Sequence, residues 1–166
     1  MLLLDANRIN DISPLTSLTE LKELDLHSNQ ITSVPSLSSL TNLKSLRLDN
    51  NQITDISKLG YIPNLGSLWL HNNKISNISQ LVSLTKLSVL LLADNQINDI
   101  SPLASLTKLA FIQLDNNKIT DISAFFDNTG LSTGDVIYLR GNPLSIYSIE
   151  SCIPRLRSQG VTVYYP

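Results

Sequence analysis

The residues best suited to acid–base chemistry in this chain are two histidines and three aspartates spaced along its first two thirds. They are His27, His71, Asp25, Asp49 and Asp115. If they lie on the strands of one parallel sheet, two strand steps of about 4.8 Å separate the histidines, or about 10 Å in all. That distance is too long for a dyad or for a shared metal ion. We therefore predict no catalytic residues, no metal site and no cofactor.

Four other aspartates, Asp11, Asp55, Asp99 and Asp121, recur in the segments between those strands. A column of carboxylates is one way to bind calcium. An aspartate also accepts a hydrogen bond from its own backbone two residues further on, which closes a turn. Of these two interpretations, we favour turn capping.

Cys152 is the only cysteine, so the chain forms no internal disulfide. It directly precedes the apolar Ile153 in a segment with helical spacing. We predict that Cys152 packs inside the protein as a small apolar residue rather than acting as a reactive thiol.

A single pattern, L-x-x-L-x-L-x-x-N-x-I, organises the whole chain. It is clearest in LKELDLHSNQI, residues Leu21 to Ile31, and it returns every 22 residues. A fixed period of 20–29 residues with this pattern is typical of leucine-rich repeats. The leucines that open the later copies are Leu43, Leu65, Leu87 and Leu109.

Shorter motifs narrow the resemblance. The 22-residue length, ITDIS at Ile53–Ser57 and Ile119–Ser123, and DISPL at Asp11–Leu15 resemble the bacterial internalin-type and SDS22-like subclass. The segment Asn142–Pro166 resembles the end-cap of bacterial leucine-rich repeat proteins. The resemblance implies a protein ligand held on a concave sheet, and an extracellular or cell-surface location.

The pattern predicts an α/β protein, a right-handed leucine-rich repeat solenoid with a parallel β-sheet on its concave face. About 17 residues separate successive strands, too many for a hairpin, so neighbouring strands must be parallel. The predicted strands are Glu23–His27, Ser45–Asp49, Ser67–His71, Val89–Ala93 and Phe111–Asp115.

The segments that return from one strand to the next carry apolar residues at every third position. This spacing fits 3₁₀ turns and irregular chain better than α-helix, because a three-residue stripe drifts around an α-helical axis. Prolines also discourage long helices here. They are Pro14, Pro35, Pro63 and Pro102.

The two ends depart from the repeat. The first repeat is truncated and has no polar cap, which favours a fragment of a longer protein or an end covered by another molecule, including a second copy. After Ser145, apolar spacing predicts an amphipathic helix that includes Ile146, is interrupted at Pro154 and ends near Gly160, with a final strand at Val161–Val163. We thus expect about seven repeats in 1–144 and a helix–strand cap in 145–166.

A column of asparagines has a structural interpretation. An asparagine amide both donates and accepts hydrogen bonds, and a buried one must do so to avoid a large desolvation cost. The column therefore predicts a hydrogen-bonded ladder that satisfies backbone groups at the bend after each strand. Its members are Asn7, Asn29, Asn51, Asn73, Asn95, Asn117 and Asn142.

The outward strand positions are free of the core, so packing does not dictate their residue types. The early repeats place mostly charged residues there, and the later ones apolar and aromatic residues, which are enriched at interaction sites. The alternative is that neighbouring apolar pairs simply stabilise the sheet. The predicted protein-binding residues are Arg47, Trp69, His71, Val89, Leu91, Phe111, Gln113, Tyr138 and Arg140.

Composition removes several classes of function. The formal net charge is −2 and no run of lysine or arginine occurs, which argues against nucleic acid as a partner. No apolar run reaches the ~20 residues of a membrane span, and the residues from Met1 to Leu4 lack the charged start of a signal peptide.

The function we predict is a non-catalytic module that binds a protein ligand of unknown identity on its concave face. Three alternatives stay open: a spacer or scaffold in a larger surface protein, carbohydrate binding through Trp69 and Tyr138, and an intracellular regulator of the SDS22-like kind.

Overall fold

The computed structural model describes all 166 residues, Met1–Pro166. Eight short strands form one sheet in chain order, and every neighbouring pair is parallel. The predicted parallel solenoid is therefore confirmed. The strands are β1 (Leu2–Leu3), β2 (Glu23–Asp25), β3 (Ser45–Arg47), β4 (Ser67–Trp69), β5 (Val89–Leu91), β6 (Phe111–Gln113), β7 (Val136–Tyr138) and β8 (Thr162–Tyr164).

Strands β2 to β6 begin where predicted and each ends two residues earlier. The reason is a bend: three residues after each strand the backbone enters the left-handed region, which non-glycine residues adopt rarely. Its φ values lie between 53° and 56° at Ala6, Ser28, Asn50, Asn72, Asp94 and Asn116. Asparagine, aspartate and serine predominate there because their short polar side chains tolerate this conformation.

The hydrophobic core follows the length of the solenoid. Within each strand the central residue is fully or nearly fully buried, and its two neighbours point outward, as period two requires. One continuous cluster of buried apolar side chains runs from Ile12 to Val163. Each repeat thus buries its apolar face against its neighbours, as in other solenoids.

Short 3₁₀ helices occupy the convex side, as the three-residue spacing predicted. They span Ser13–Ser17, Leu59–Tyr61, Ser79–Ser83 and Ser101–Ser105. Pro14 and Pro102 lie in the first turn of their helices, where a missing N–H does no harm. The return segment that contains Pro35 has no helix, and Ser33 there forms a single bridge with Asp55.

The end of the chain differs from the prediction in three details. A π-helical turn, Ser148–Cys152, precedes a short α-helix, Ile153–Ser158 (here α2; the four-residue helix Ala124–Asp127 is α1). The irregularity therefore lies before Pro154, which has no N–H to donate to the preceding turn. Ile146 is 75% exposed rather than on the apolar face. The last strand is β8, one residue later than predicted.

No helix in the structure has the length and apolarity to cross a membrane.

The asparagine column forms a hydrogen-bonded ladder along the sheet. In Asn95, the amide nitrogen donates to the carbonyls of Leu70, Leu92 and Ala93 at 3.0–3.1 Å, and the amide oxygen accepts the Ile75 N–H at 2.9 Å. The same four bonds recur at Asn29, Asn51, Asn73, Asn117 and Asn142. Each of these asparagines thereby joins two successive repeats.

Asn7 is the exception in this column. It is exposed and donates only within its own repeat, to the carbonyls of Leu4 and Asp5. It therefore offers a natural control for the buried members.

We expect Asn95→Ala to lower the free energy of unfolding by about 1–3 kcal/mol, because the Ile75 N–H loses its only partner and three carbonyls each lose one of two hydrogen bonds. Urea unfolding followed by circular dichroism measures this loss. Asn7→Ala, in contrast, should cost distinctly less. If both variants unfold at the midpoint of the natural chain, the ladder does not stabilise the solenoid.

Candidate functional site

The outward side chains of the sheet form three columns on its concave face. The strand register aligns the central column without a break from Asp25 to Tyr164. Its members are Asp25, Arg47, Trp69, Leu91, Gln113, Tyr138 and Tyr164. Every residue predicted for binding lies on this face, and all are half-buried except Arg140, which is exposed.

An aromatic patch covers the C-terminal half of the face; we use this name for Trp69, Val89, Leu91, Phe111, Tyr138 and Tyr164. The Tyr138 ring contacts the Phe111 ring at a centroid distance of 5.6 Å, tilted by 49°. It stacks on the Tyr164 ring at 4.7 Å and 16°. The Arg140 guanidinium lies 5.3 Å from the Tyr164 centroid. Such contacts each stabilise the arrangement of the rings modestly.

Tyr164 is a member of this patch that the sequence analysis missed. The last strand was predicted one residue early, at Val161–Val163, so Tyr164 fell outside it. The alternation of residues contains the signal: Val161 and Val163 are buried, so Thr162 and Tyr164 point outward. Its 39% exposure places an aromatic ring at the end of the sheet.

A charged network occupies the N-terminal half of the same face; it consists of His27, Asp25, Arg47, Asp49 and His71. The His27 Nδ1 lies 2.8 Å from Asp25 Oδ1, and Arg47 Nη1 lies 3.2 Å from Asp25 Oδ2. On its other side Arg47 Nε lies 3.4 Å from Asp49 Oδ1, and His71 Nε2 lies 3.3 Å from Asp49 Oδ2. The network thus alternates basic and acidic side chains across β2, β3 and the turn after β4.

Asp49 is the deepest member of the network, with only 1% of its surface exposed. Its Oδ2 also accepts a hydrogen bond from the Asn50 side chain at 2.9 Å. Asp49 Oδ1 and Arg47 Nε are buried and have only their mutual ion-pair contact. The Arg47 guanidinium in turn lies 5.9 Å from the Trp69 ring, which connects the network to the aromatic patch.

Asp25 stays ionised in this setting. Burial raises the pKa of its carboxyl group, but the hydrogen bonds from the His27 side chain and backbone and the charge of Arg47 outweigh that effect. Its pKa therefore lies below the ordinary value, and the carboxylate is negative at neutral pH.

A cluster of three metal-ligating residue types lies at the N-terminal edge of the network. Asp5, Asp25 and His27 each place one ligand atom within 4.8 Å of the other two. The sequence pattern pairs His27 only with His71, so this cluster was not predicted. The sign was the position of Asp5, next to His27 in the same outward column.

The aspartates of the return segments cap turns. Asp11, Asp55, Asp99 and Asp121 each accept the backbone N–H of the serine two residues later at 2.8 Å. Hydrogen bonds from the side chain and backbone of Ser13 lower the pKa of Asp11, and those from the backbone and side chain of Ser57 lower the pKa of Asp55. Asn77 makes the same bond at 2.9 Å, which an amide does as well as a carboxylate. The turn-capping interpretation is confirmed.

The repeat pattern of the chain matches a known protein family. A family profile described as "Leucine Rich repeats (2 copies)" matches residues 1–39, 19–61, 41–83 and 85–127. The chain belongs to the leucine-rich repeat family. No curated protein matches this leucine-rich repeat chain.

Solved structures place it among bacterial leucine-rich repeat proteins. The internalin InlF of Listeria monocytogenes superposes with a TM-score of 0.82 at 32% identity, covering 96% of this chain and 47% of InlF. Internalin C2 of the same organism superposes with a TM-score of 0.70 at 30% identity, covering 97% of this chain and 80% of internalin C2. A leucine-rich repeat protein of Leptospira interrogans superposes with a TM-score of 0.84 at 29% identity, covering 95% of this chain and 41% of the Leptospira protein.

The predicted internalin-type subclass is therefore confirmed. The chain spans about half the length of InlF and less than half of the Leptospira protein.

Cys152 lies away from the concave face of this leucine-rich repeat protein, inside the C-terminal segment. Its side chain is fully buried. Burial raises the pKa of the thiol, and the charge of Asp121 adds to the shift. A buried thiol that stays protonated is a poor nucleophile.

We expect Cys152 of the native chain to resist Ellman's reagent at pH 8 and to react fully once urea unfolds the protein. Both its burial and its raised pKa act in this direction. The absorbance of the released thiolate measures the reaction over time. Rapid labelling in the absence of urea would show that the C-terminal segment opens freely or that the thiol is activated.

Proposed function

We propose that the chain is a non-catalytic recognition module that holds a protein ligand on its concave face. The aromatic patch is the observation that carries this proposal. The core does not need these side chains, since they point away from it. Tryptophan, tyrosine and arginine are also the residue types that contribute most to protein–protein binding energy.

The patch has the dimensions of an interaction centre. In the central column, Trp69 and Tyr138 are three strand steps apart, or about 14 Å. Val89, Leu91 and Phe111 lie between them along the sheet. His71 and Arg140 supply a polar surround, and Gln113 lies within the patch, between Leu91 and Tyr138 in the central column. This arrangement of an apolar centre and a polar rim is usual for protein interfaces.

The charged network supports the same function. Arg47, Asp25 and Asp49 are already paired with one another, so their geometry is fixed before a ligand arrives. Fixed charges beside an apolar centre orient a partner and discriminate against wrong ones. A sheet tied by the asparagine ladder also needs little rearrangement on binding.

Ring geometry favours protein over carbohydrate as the ligand. A sugar stacks on an open aromatic face. One face of Tyr138 is covered by Tyr164, and Phe111 packs against the ring as well. Tyr138 is therefore a poor platform for sugar stacking. Of the two rings considered for carbohydrate binding, only Trp69 remains. A role as a spacer would leave the patch without a ligand, and the binding experiment below distinguishes it.

Family membership supports the wider setting. Leucine-rich repeat and internalin-like proteins are typically binding modules, and internalin-like proteins are surface or secreted proteins. We extend both properties to this chain and place it at the cell surface or outside the cell. We also propose that 145–166 caps the repeats of 1–144, because β8 pairs with β7 and α2 lies against the end of the core.

The decisive variant is Trp69→Ala. Truncation of a central tryptophan should weaken ligand binding by roughly 30-fold or more, the effect of losing about 2 kcal/mol at a hot spot. The effect is measured in two steps. The immobilised chain captures a ligand from a cell lysate, and the purified ligand is then titrated against the natural chain and the variant. The control is Tyr61→Ala, an exposed aromatic residue of a convex 3₁₀ helix.

Equal capture by Trp69→Ala and the natural chain contradicts the proposal, and so does equal loss in both variants. Melting curves must coincide for the comparison to count, and Leu91→Ala provides a second test if Trp69→Ala unfolds. Light scattering on the purified chain shows whether the exposed Met1 and Leu3 drive self-association instead.

A further inference from the structure

We propose that Asp5, Asp25 and His27 form a binding site for a divalent transition metal ion of the zinc class. The site lies at the N-terminal end of the concave face. One ligand atom from each of the three residues lies within 4.8 Å of the other two. The inference does not depend on the proposed protein ligand.

Two neighbouring strands hold the three residues in position. Leu3 pairs with Asp25 in the register of β1 and β2, so Asp5 lies beside His27 two residues further on. The Leu4 N–H donates to the Asp25 carbonyl at 2.9 Å, and the Ala6 N–H donates to the His27 carbonyl at 3.0 Å. Backbone hydrogen bonds therefore fix the separation of the two chains at the site.

Distances allow a tetrahedral ion with side-chain rotation alone. Zinc–oxygen and zinc–nitrogen bonds of about 2.0–2.1 Å bring ligand atoms to about 3.3 Å from one another. The His27 Nδ1 and Asp25 Oδ1 are 2.8 Å apart in a hydrogen bond, so they need to separate by about 0.5 Å when an ion replaces the proton between them. Asp5 needs to approach by up to about 1.5 Å, which its side-chain torsions can supply.

Charge also favours a cation here. Asp5 takes part in none of the ion pairs of the chain. Arg47 is the only permanent cation in the charged network, and it is shared between Asp25 and Asp49. Asp5, Asp25 and Asp49 therefore leave two negative charges uncompensated beside a histidine that can be neutral. A divalent ion balances this excess.

The donor set selects the class of ion. Calcium and magnesium prefer six or more oxygen ligands, whereas one imidazole and two carboxylates suit zinc and its neighbours. Three protein ligands leave a fourth position open toward the concave groove, where water completes the coordination. Arg47 holds Asp25 Oδ2 at 3.2 Å, whereas Oδ1 accepts hydrogen bonds from the His27 ring and backbone, so a metal ion binds Oδ1 and His27 Nδ1 in place of the hydrogen bond between them.

The test uses the untagged full chain and Zn²⁺ alone, in competition with a chromophoric zinc indicator. We expect one Zn²⁺ per chain and a raised melting temperature in its presence. Asp5→Asn keeps the shape of the side chain and removes its charge, and His27→Ala removes the imidazole. Each should weaken Zn²⁺ binding at least about 10-fold, as losses within a metal site commonly do.

The control is His71→Ala, which removes the only other histidine. His71 pairs with Asp49 but lies outside the three-residue cluster. We expect this variant to bind Zn²⁺ as the natural chain does. Absence of one-site binding in the natural chain overturns the proposal. So does full binding by Asp5→Asn, or an equal loss in the two histidine variants, which would indicate scattered surface ligands.

Discussion

The solenoid depends on one repeated interaction, the four hydrogen bonds of each buried asparagine amide. In Asn51, for example, the amide joins the carbonyls of Leu26, Leu48 and Asp49 to the N–H of Ile31. Because the partners belong to two repeats, the asparagine fixes how far the second repeat is displaced from the first. An apolar residue would leave the Ile31 N–H without a partner and would remove one of the two hydrogen bonds that each of the three carbonyls accepts.

The ladder is preserved where extra residues are inserted between two of its asparagines. Asn142 follows Asn117 by 25 residues instead of 22, yet it still accepts the Ile119 N–H at 3.1 Å and donates to the Leu114 carbonyl at 2.8 Å. The three extra residues lie in the return segment that includes α1 and the turns before β7. The outward strand side chains take no part in the ladder. The same backbone geometry therefore carries charged residues in the early repeats and aromatic residues in the later ones.

The sequence predicted the features that depend on residue spacing within a repeat. It did not predict side-chain contacts between neighbouring strands. The 22-residue period predicted the parallel strands, the core and the 3₁₀ turns, because each depends on local spacing. Ile146 had helical spacing but lies outside the apolar face, since the helix becomes regular only after the π-helical turn. The stacking of Tyr138 on Tyr164 and the approach of Asp5 to His27 both depend on cross-strand register. Comparing strand columns side by side would have found the second pair but not the ring geometry of the first.

We infer that the asparagine ladder holds the bends as rigidly as the sheet, so that the concave face is formed before any ligand arrives. Amide hydrogen exchange followed by NMR tests it most directly, at the N–H groups of Ile31, Ile53, Ile75 and Ile97. These residues lie outside the strands, and each donates only to an asparagine side chain. We expect them to exchange as slowly as the strand amides, through global unfolding. Exchange at the rate of the exposed turns would contradict the claim, because the bends would then open independently of the sheet.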